Sequence, residues 1–334
     1  MPPSVSRKLS YLQFVCALMI IGLHTAFARY FEPNAPWTVD LNTAVRNVYD
    51  AAISTFFFLS AMLFFRSDRP RTYAGVLKDK ALTLLIPYVL WNALYLAHST
   101  LRHYLVHGVW PVLRLEDVLL GLTFQPANSI FWFVKTLMGF VLLFPVWDWC
   151  VRRRWPALVL GVGAAAAVCV ASLEIAYESM IYWLPVYLMG AYAGRHRRAL
   201  MERVPLFSRR LPYALCAAVW AGWALLRPLG HAIHYLYWLP APLLLWALAD
   251  GFASWPAPPW WIRASFYLYG SHLVVEHYAV ELYLRTMGTS DISFALGNVL
   301  LPCLCAAVAL VCGAVVRRLL PGVYALFTGA REKR

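Results

Sequence analysis

Ten apolar segments separated by short basic connections leave this chain few ways to fold. They run 11–28, 48–65, 81–101, 129–149, 156–173, 179–194, 211–227, 234–250, 264–284 and 293–316. A helix needs about 20 mostly apolar residues to cross a bilayer core, and most of these segments meet or approach that length. Pro185, Pro240 and Pro242 interrupt the sixth and the eighth. Only 13% of the 334 residues are charged, where a soluble domain carries about 25%. The expected fold is therefore an all-α, polytopic membrane bundle of about ten transmembrane helices, forming one domain over residues 1–334. Many of the 15 Trp lie beside segment ends, as interfacial belts do. No internal repeat, low-complexity tract or soluble domain interrupts the pattern.

Charge orients the bundle. If the N-terminus is cytoplasmic, the inside loops hold Arg7, Lys8, Arg66 to Lys80, Arg152 to Arg154, Arg195 to Arg210, Arg263 and the tail from Arg317, which is 22 of the 29 Lys and Arg. The outside connections hold six: Arg29, Arg46, Arg102, Arg114, Arg227 and Arg285. Lys135 alone falls inside a segment, the fourth. That asymmetry satisfies the positive-inside rule and predicts both termini in the cytoplasm. The formal net charge of +13 does not point to nucleic acid, because the cations are spread over the inside loops. They serve topology and contact with anionic lipid, and some could meet a soluble anion. The outer connection 102–128 is the longest on that side, and its stretch 115–122 reads as a short interfacial helix.

The first segment is longer than a secretory leader core and has no clear small-residue cleavage site after it, so no cleavable leader is expected. The seven cysteines, at 16, 150, 169, 216, 303, 305 and 312, sit in or beside apolar runs without zinc-type spacing. They read as small packing residues, and no metal is expected.

Ionisable groups at membrane depth are rare and tend to face a bundle interior or a water-filled cavity. His24 is such a group. Eleven residues before it stands Gln13, and eleven helical steps return to within about 20° of the starting direction, about 16 Å along the axis. A polar stripe thus climbs an otherwise apolar helix. If the helix enters at Tyr11, His24 lies about 20 Å from the cytoplasmic face, in the outer half of the hydrocarbon. An imidazole there can take a proton from a hydroxyl near neutral pH; it could equally hydrogen-bond a neighbouring helix. Lys135, about 9 Å below the outer edge, could orient a substrate or stabilise an oxyanion, or could snorkel to the interface. In the ninth segment His272 and Glu276 are four apart and share a helix face, where a carboxylate can set an imidazole's tautomer or simply bridge helices. Arg66, Arg69, Arg71, Lys78 and Lys80 could hold phosphates, although no glycine-rich phosphate loop is present.

Taken together, these segments resemble the acyltransferase 3 family, which includes O-acyltransferases of bacterial surface glycans. YLQFVCALMIIGLH matches the first helix, with His24 on the family's histidine. FFFLSAMLFFRS resembles the second-helix pattern, KDKALTLLIPYVLW the basic lead into the third, FWFVKTLMGFVLLFP the fourth, and SFYLYGSHLVV the motif near the end. The match spans nearly the whole chain in order. Gln13 replaces the family's arginine, Ser10 its acidic residue, and Ala61 and Met62 stand where Gly and Tyr are usual. A glutamine supplies no fixed charge, so Arg7, Lys8 or Lys80 would have to take over that role.

The resemblance implies a multi-pass protein of the bacterial inner membrane, with acyl-CoA, acetyl-CoA expected, as cosubstrate and no resident cofactor. Its acceptor would be a glycan or a lipid-linked saccharide. The expected mechanism has the donor's phosphates on Arg66 to Lys80, its pantetheine arm following the stripe from Gln13, His24 as general base, and Lys135 or Trp132 positioning the reacting groups. Two other readings fit the residues. One is a proton-coupled transporter of a glycan or lipid intermediate with Glu276 as the proton site, against which no paired halves are visible. The other is a non-catalytic relative, because of Gln13.

Overall fold

The structure, a computed structural model, describes residues 1–25, 35–67, 72–170, 175–196 and 241–329, and between the last two blocks only 214, 217, 218, 221, 222, 235 and 237–240. The seventh segment expected from the sequence, 211–227, therefore lies almost wholly outside the described residues, as do Arg69 and Arg71.

No strand occurs among the described residues. Helix α1 spans Pro3–His24, α2 Pro36–Phe65 and α3 Tyr73–Lys80, which passes through a π-helical turn Ala81–Leu85 into α4, Ile86–His107. Short α5 (Leu115–Leu122) lies in the 102–128 connection, where the sequence predicts a short helix. After a 3₁₀ turn at Ser129–Phe131 come α6 (Trp132–Leu142), α7 (Phe144–Arg152), α8 (Arg154–Val170) and α9 (Met180–Arg195). The C-terminal part holds α10 (Ala241–Leu248), a 3₁₀ stretch Ala249–Ser254, α11 (Trp260–Arg263), α12 (Ser265–Met287), α13 (Asp291–Leu319) and α14 (Pro321–Thr328).

Local chemistry sets these boundaries. Pro sits in the first turn of α1, α2, α7, α10 and α14, where its missing N–H costs nothing. Ser290 caps α13 by accepting from Ser293 N, 3.2 Å, and Thr72 caps α3 by accepting from Gly75 N, 3.2 Å. Gly108, at φ 74°, ends α4 in the left-handed conformation that glycine adopts without strain. Pro87 cannot donate to the carbonyl of Thr83 and would crowd it; the π-helical turn just before it absorbs that conflict.

Among the described residues four helices are long and apolar enough to cross a membrane: Pro3–His24, Pro36–Phe65, Tyr73–His107 and Asp291–Leu319. A fifth crossing arises if the pair Ser129–Leu142 and Phe144–Arg152, bent by 68°, counts as one. Sequence reading expects a single straight span over 129–149; Pro145, early in α7, accompanies the break. Of the other expected spans, α8 and α9 have 17 and 16 residues. The eighth becomes an eight-residue helix followed by a 3₁₀ stretch. Helix α12 is long enough, at 23 residues, but its His and Glu side chains lower its hydropathy.

Helix α1 lies at the centre, packed against α2, α12, α13 and the 3₁₀ stretch 249–254. Helix α9 runs against α2 with Gly190 and Gly194 on the backbone of Phe58 and Met62, so close that a Cβ at either glycine would overlap it. Small residues four apart allow such an approach between apolar helices. Aromatic rings fill the adjoining space: Phe57 stacks on Trp183 at 4.9 Å, and Phe140 on Tyr187 at 3.9 Å. The two ends of the bundle are easily told apart. At one, Arg66 reaches Met1 Sδ at 3.5 Å and Tyr73 OH donates to Leu142 O at 3.1 Å. At the other, Thr38 OH lies 3.3 Å from Asp291 Oδ1, and α1 ends at His24.

Candidate active site

His24 is the last residue of α1 and is half-buried. Two residues earlier, Gly22 presses against the ring of Tyr49 on α2, leaving no space for a Cβ. Tyr49 OH in turn donates to Asn298 O on α13 at 2.9 Å. The C-terminus of α1 is thus held between two long helices, and His24 with it.

Behind His24 lies the ring of His272, with centroids 5.2 Å apart and planes at 44°. His272 is fully buried. Its Nδ1 is 2.8 Å from Tyr269 O and 3.3 Å from Leu268 O. A carbonyl can only accept, so Nδ1 carries the proton and Nε2 keeps a lone pair. That Nε2 has no hydrogen-bond partner in the described protein. Gly270, two residues back, meets the Trp91 ring so closely that no Cβ fits, and its carbonyl accepts from Asn128 Nδ2 at 3.3 Å. Asn128 N donates to Asn92 Oδ1 at 2.9 Å. This buried network ties α4, the turn before α6 and α12 into one frame.

A cavity of about 690 Å³ opens beside His24. Its walls are Leu23 and His24 from α1, Arg46 from α2, Ser129, and Leu273, Glu276 and His277 from α12. The remaining wall is one face of α4: Tyr95, His98, Ser99, Arg102, His103, Val106 and His107. His98 Nε2 is 3.0 Å from Tyr278 OH, and the rings of His103 and His107 are 4.6 Å apart. The volume falls within the range of about 300–1,000 Å³ usual for small-molecule sites. Among the described residues no group of three or more His, Cys, Asp or Glu side chains is arranged to hold a metal ion.

Of the residues singled out in the sequence, the structure brings together His24, His272 and Glu276. The pair on α12 divides its surroundings: Glu276 reaches the cavity wall, while His272 sits behind His24. The others lie elsewhere. Gln13 is half-buried partway down α1. Lys135 Nζ donates to Phe124 O at 3.1 Å and lies 3.9 Å from Glu178 Oε2. Trp132 is engaged with Phe57 at 6.2 Å, Tyr177 at 5.2 Å and Trp183 at 6.1 Å. Neither lines the cavity. Lys135 lies in the first turns of α6, a helix that contributes nothing to the cavity wall. Arg66 and Lys78 are exposed at the opposite end of the bundle, and Lys80 lies 3.7 Å from Asp79. Lys8 and Arg7 do not stand beside Gln13 as spare cations. Lys8 is fully buried in an ion pair with Asp250, and Arg7 donates to Ala253 O at 3.1 and 2.9 Å.

Sequence reading missed His98, Arg102, His103 and His107. His98 with Arg102, and His103 with His107, are each four residues apart and so each share a stripe of the helix, but nothing local directs the two pairs towards one cavity.

No curated protein and no solved structure matches the chain. The family model for acyltransferase 3, described as an acyltransferase domain, matches residues 7–318. That stretch includes every helix that builds the cavity. With helices suited to crossing a membrane and a family match over nearly its whole length, this chain belongs to the acyltransferase 3 family of membrane acyltransferases.

Proposed function

We propose that the chain moves an acyl group, acetyl in the simplest case, from cytoplasmic acyl-CoA to a hydroxyl of a glycan or lipid-linked saccharide, with His24 as general base. The observation that carries this reading is the placement of a half-buried imidazole on the wall of a substrate-sized cavity. His24 takes the proton of the acceptor hydroxyl. The oxygen attacks the thioester carbonyl, the C–S bond breaks, and the departing CoA thiolate recovers the proton from the imidazolium. His272 backs the ring of His24 and limits how it can turn; Glu276 offers the cavity an acceptor for a second hydroxyl.

The two-ended arrangement supports a crossing geometry. Helix α1 has 22 residues, about 33 Å at 1.5 Å per residue. Arg66 and Lys78 lie at its N-terminal end, where the donor's phosphates would dock, with Arg69 and Arg71 in the same stretch of sequence. The cavity lies at its other end. In this reading the protein has ten spans and both termini in the cytoplasm, and it sits in a bacterial inner membrane. The half-buried Gln13 lies on the side chain route between donor and base, as a neutral hydrogen-bonding group.

His24→Ala tests the reading. Membranes supplied with labelled acetyl-CoA should lose transfer by about 10²–10⁴-fold, the usual worth of a positioned base, while insertion and thermal stability stay as in the wild type. Product identity is read by mass spectrometry. Transfer at the wild-type rate in His24→Ala would remove His24 from the chemistry.

A further inference from the structure

Two guanidinium groups share the cavity with His24: Arg46 from α2 and Arg102 from α4. Neither pairs with a carboxylate among the described residues. Two other arginines do find carboxylates, Arg152 with Asp148 at 2.7 Å and Arg285 with Glu281. The cavity wall adds four histidines besides His24 and a single carboxylate, Glu276. His98 stands within electrostatic range of both Arg102 and His277, and the two guanidinium groups are the fixed positive charges of the cavity wall. Like charges placed together without counter-charge are unfavourable. Topology does not account for them either, because Arg46 and Arg102 fall on the side that the positive-inside bias depletes.

A guanidinium presents a planar fork of N–H donors and no acceptor, which suits carboxylate and phosphate oxygens rather than a neutral hydroxyl. We propose that the cavity selects an anionic acceptor: a saccharide whose carboxylate or phosphate is held by Arg46 and Arg102 while one of its hydroxyls meets His24. The identification of this ligand as the acceptor rests on the acyl-transfer reading above; the preference of the cavity for an anion does not.

The test is binding to the full-length protein in nanodiscs. The probes are cellobiouronate against cellobiose, for a carboxylate on the sugar, and farnesyl diphosphate against farnesol, for a lipid-linked phosphate. At least one anion should bind about tenfold more tightly than its neutral counterpart, as expected for charge-assisted contacts. Its affinity should fall with added salt. The double variant Arg46→Gln/Arg102→Gln should lose the preference, and Arg46→Lys/Arg102→Lys should keep part of it. Whichever pair shows the effect identifies the source of the anion. Equal binding of charged and neutral probes, or a preference that survives the glutamine variant, overturns the proposal. So does an arginine-dependent affinity for coenzyme A above that for both anions, which would make this the donor's site. His24→Ala separates the two readings. Anion binding kept in that variant while transfer is lost supports both. Anion binding without any His24-dependent transfer leaves this inference standing and removes the catalytic one.

Discussion

Lys8 is a fully buried ammonium whose ion pair with Asp250 joins α1 to the 3₁₀ stretch after α10. Its Nζ also lies 4.0 Å from the centroid of Trp246. Both charged ends are withdrawn from water, with side-chain exposures of 0% and 6%. Screening is weak there, so each charge depends strongly on its counter-charge. Lys8→Met keeps the apolar stem against Trp246 but removes the buried counter-charge of Asp250, which should cost about 3–5 kcal/mol. Asp250→Asn strands Lys8 at a similar cost. The double variant removes both charges, so its loss should fall well short of the sum, with a coupling of about 2–3 kcal/mol. Reversible unfolding in mixed detergent micelles, followed by tryptophan fluorescence, measures all three. A loss under about 1 kcal/mol for Lys8→Met, the size expected of an exposed pair, would refute the reasoning. Additive losses in the double variant would do the same.

Asn92→Ala should cost about 1–3 kcal/mol, because it leaves the buried Asn128 N–H without its acceptor; an unchanged unfolding midpoint would show that the frame behind Ser129 does not depend on it. Gly194→Leu drives a side chain into the Met62 backbone and should cost about 1–3 kcal/mol or more. Gly161→Ala, where a Cβ meets nothing within 4 Å, serves as its neutral control in the same unfolding assay. Lys135→Ala removes a 3.9 Å pair with the exposed Glu178 and should cost no more than about 1 kcal/mol. Acyl transfer should be unchanged in that variant, since Lys135 does not line the cavity; a large drop in rate would place it in the chemistry after all.

The helix a residue belongs to is legible from sequence, whereas the direction its side chain faces is much less so. His24 and Lys135 both fall in helices expected from the sequence, yet only His24 lines the cavity. The direction of Lys135 is set by α6 meeting Phe124 and Glu178, a contact no local pattern encodes. The same limit hid the wall of α4. Helical arithmetic puts Tyr95, Ser99, Arg102 and Val106 on one stripe of α4 and turns His98 to one flank and His103 and His107 to the other; that side acquires meaning only where it faces α1 and α12 across the cavity. Length and hydropathy located α1, α2, α4 and α13 well. The ninth segment, 264–284, likewise found α12; the reading served poorly for 129–149, where Pro145 early in α7 accompanies a break in one apolar run. Lys8 was legible as a cation near the membrane surface; its engagement by Asp250, 242 positions away, was not.

Two imidazoles stand 5.2 Å apart at the heart of the site, and physical chemistry separates their roles. A general base must come within hydrogen-bond reach of the proton it removes. His272 is fully buried, absent from the cavity wall, and tied through Nδ1 to the carbonyls of its own helix. It cannot meet a hydroxyl without unpacking α12 from Trp91 and the Asn128 network. His24 sits on the wall, half-exposed, at the end of a helix pinned by the contact of Gly22 with Tyr49. Of these two rings, access and fixed position therefore coincide at His24. The buried lone pair of His272 Nε2 belongs to the surroundings that hold His24 in place, and its cost is borne by the tight frame around it.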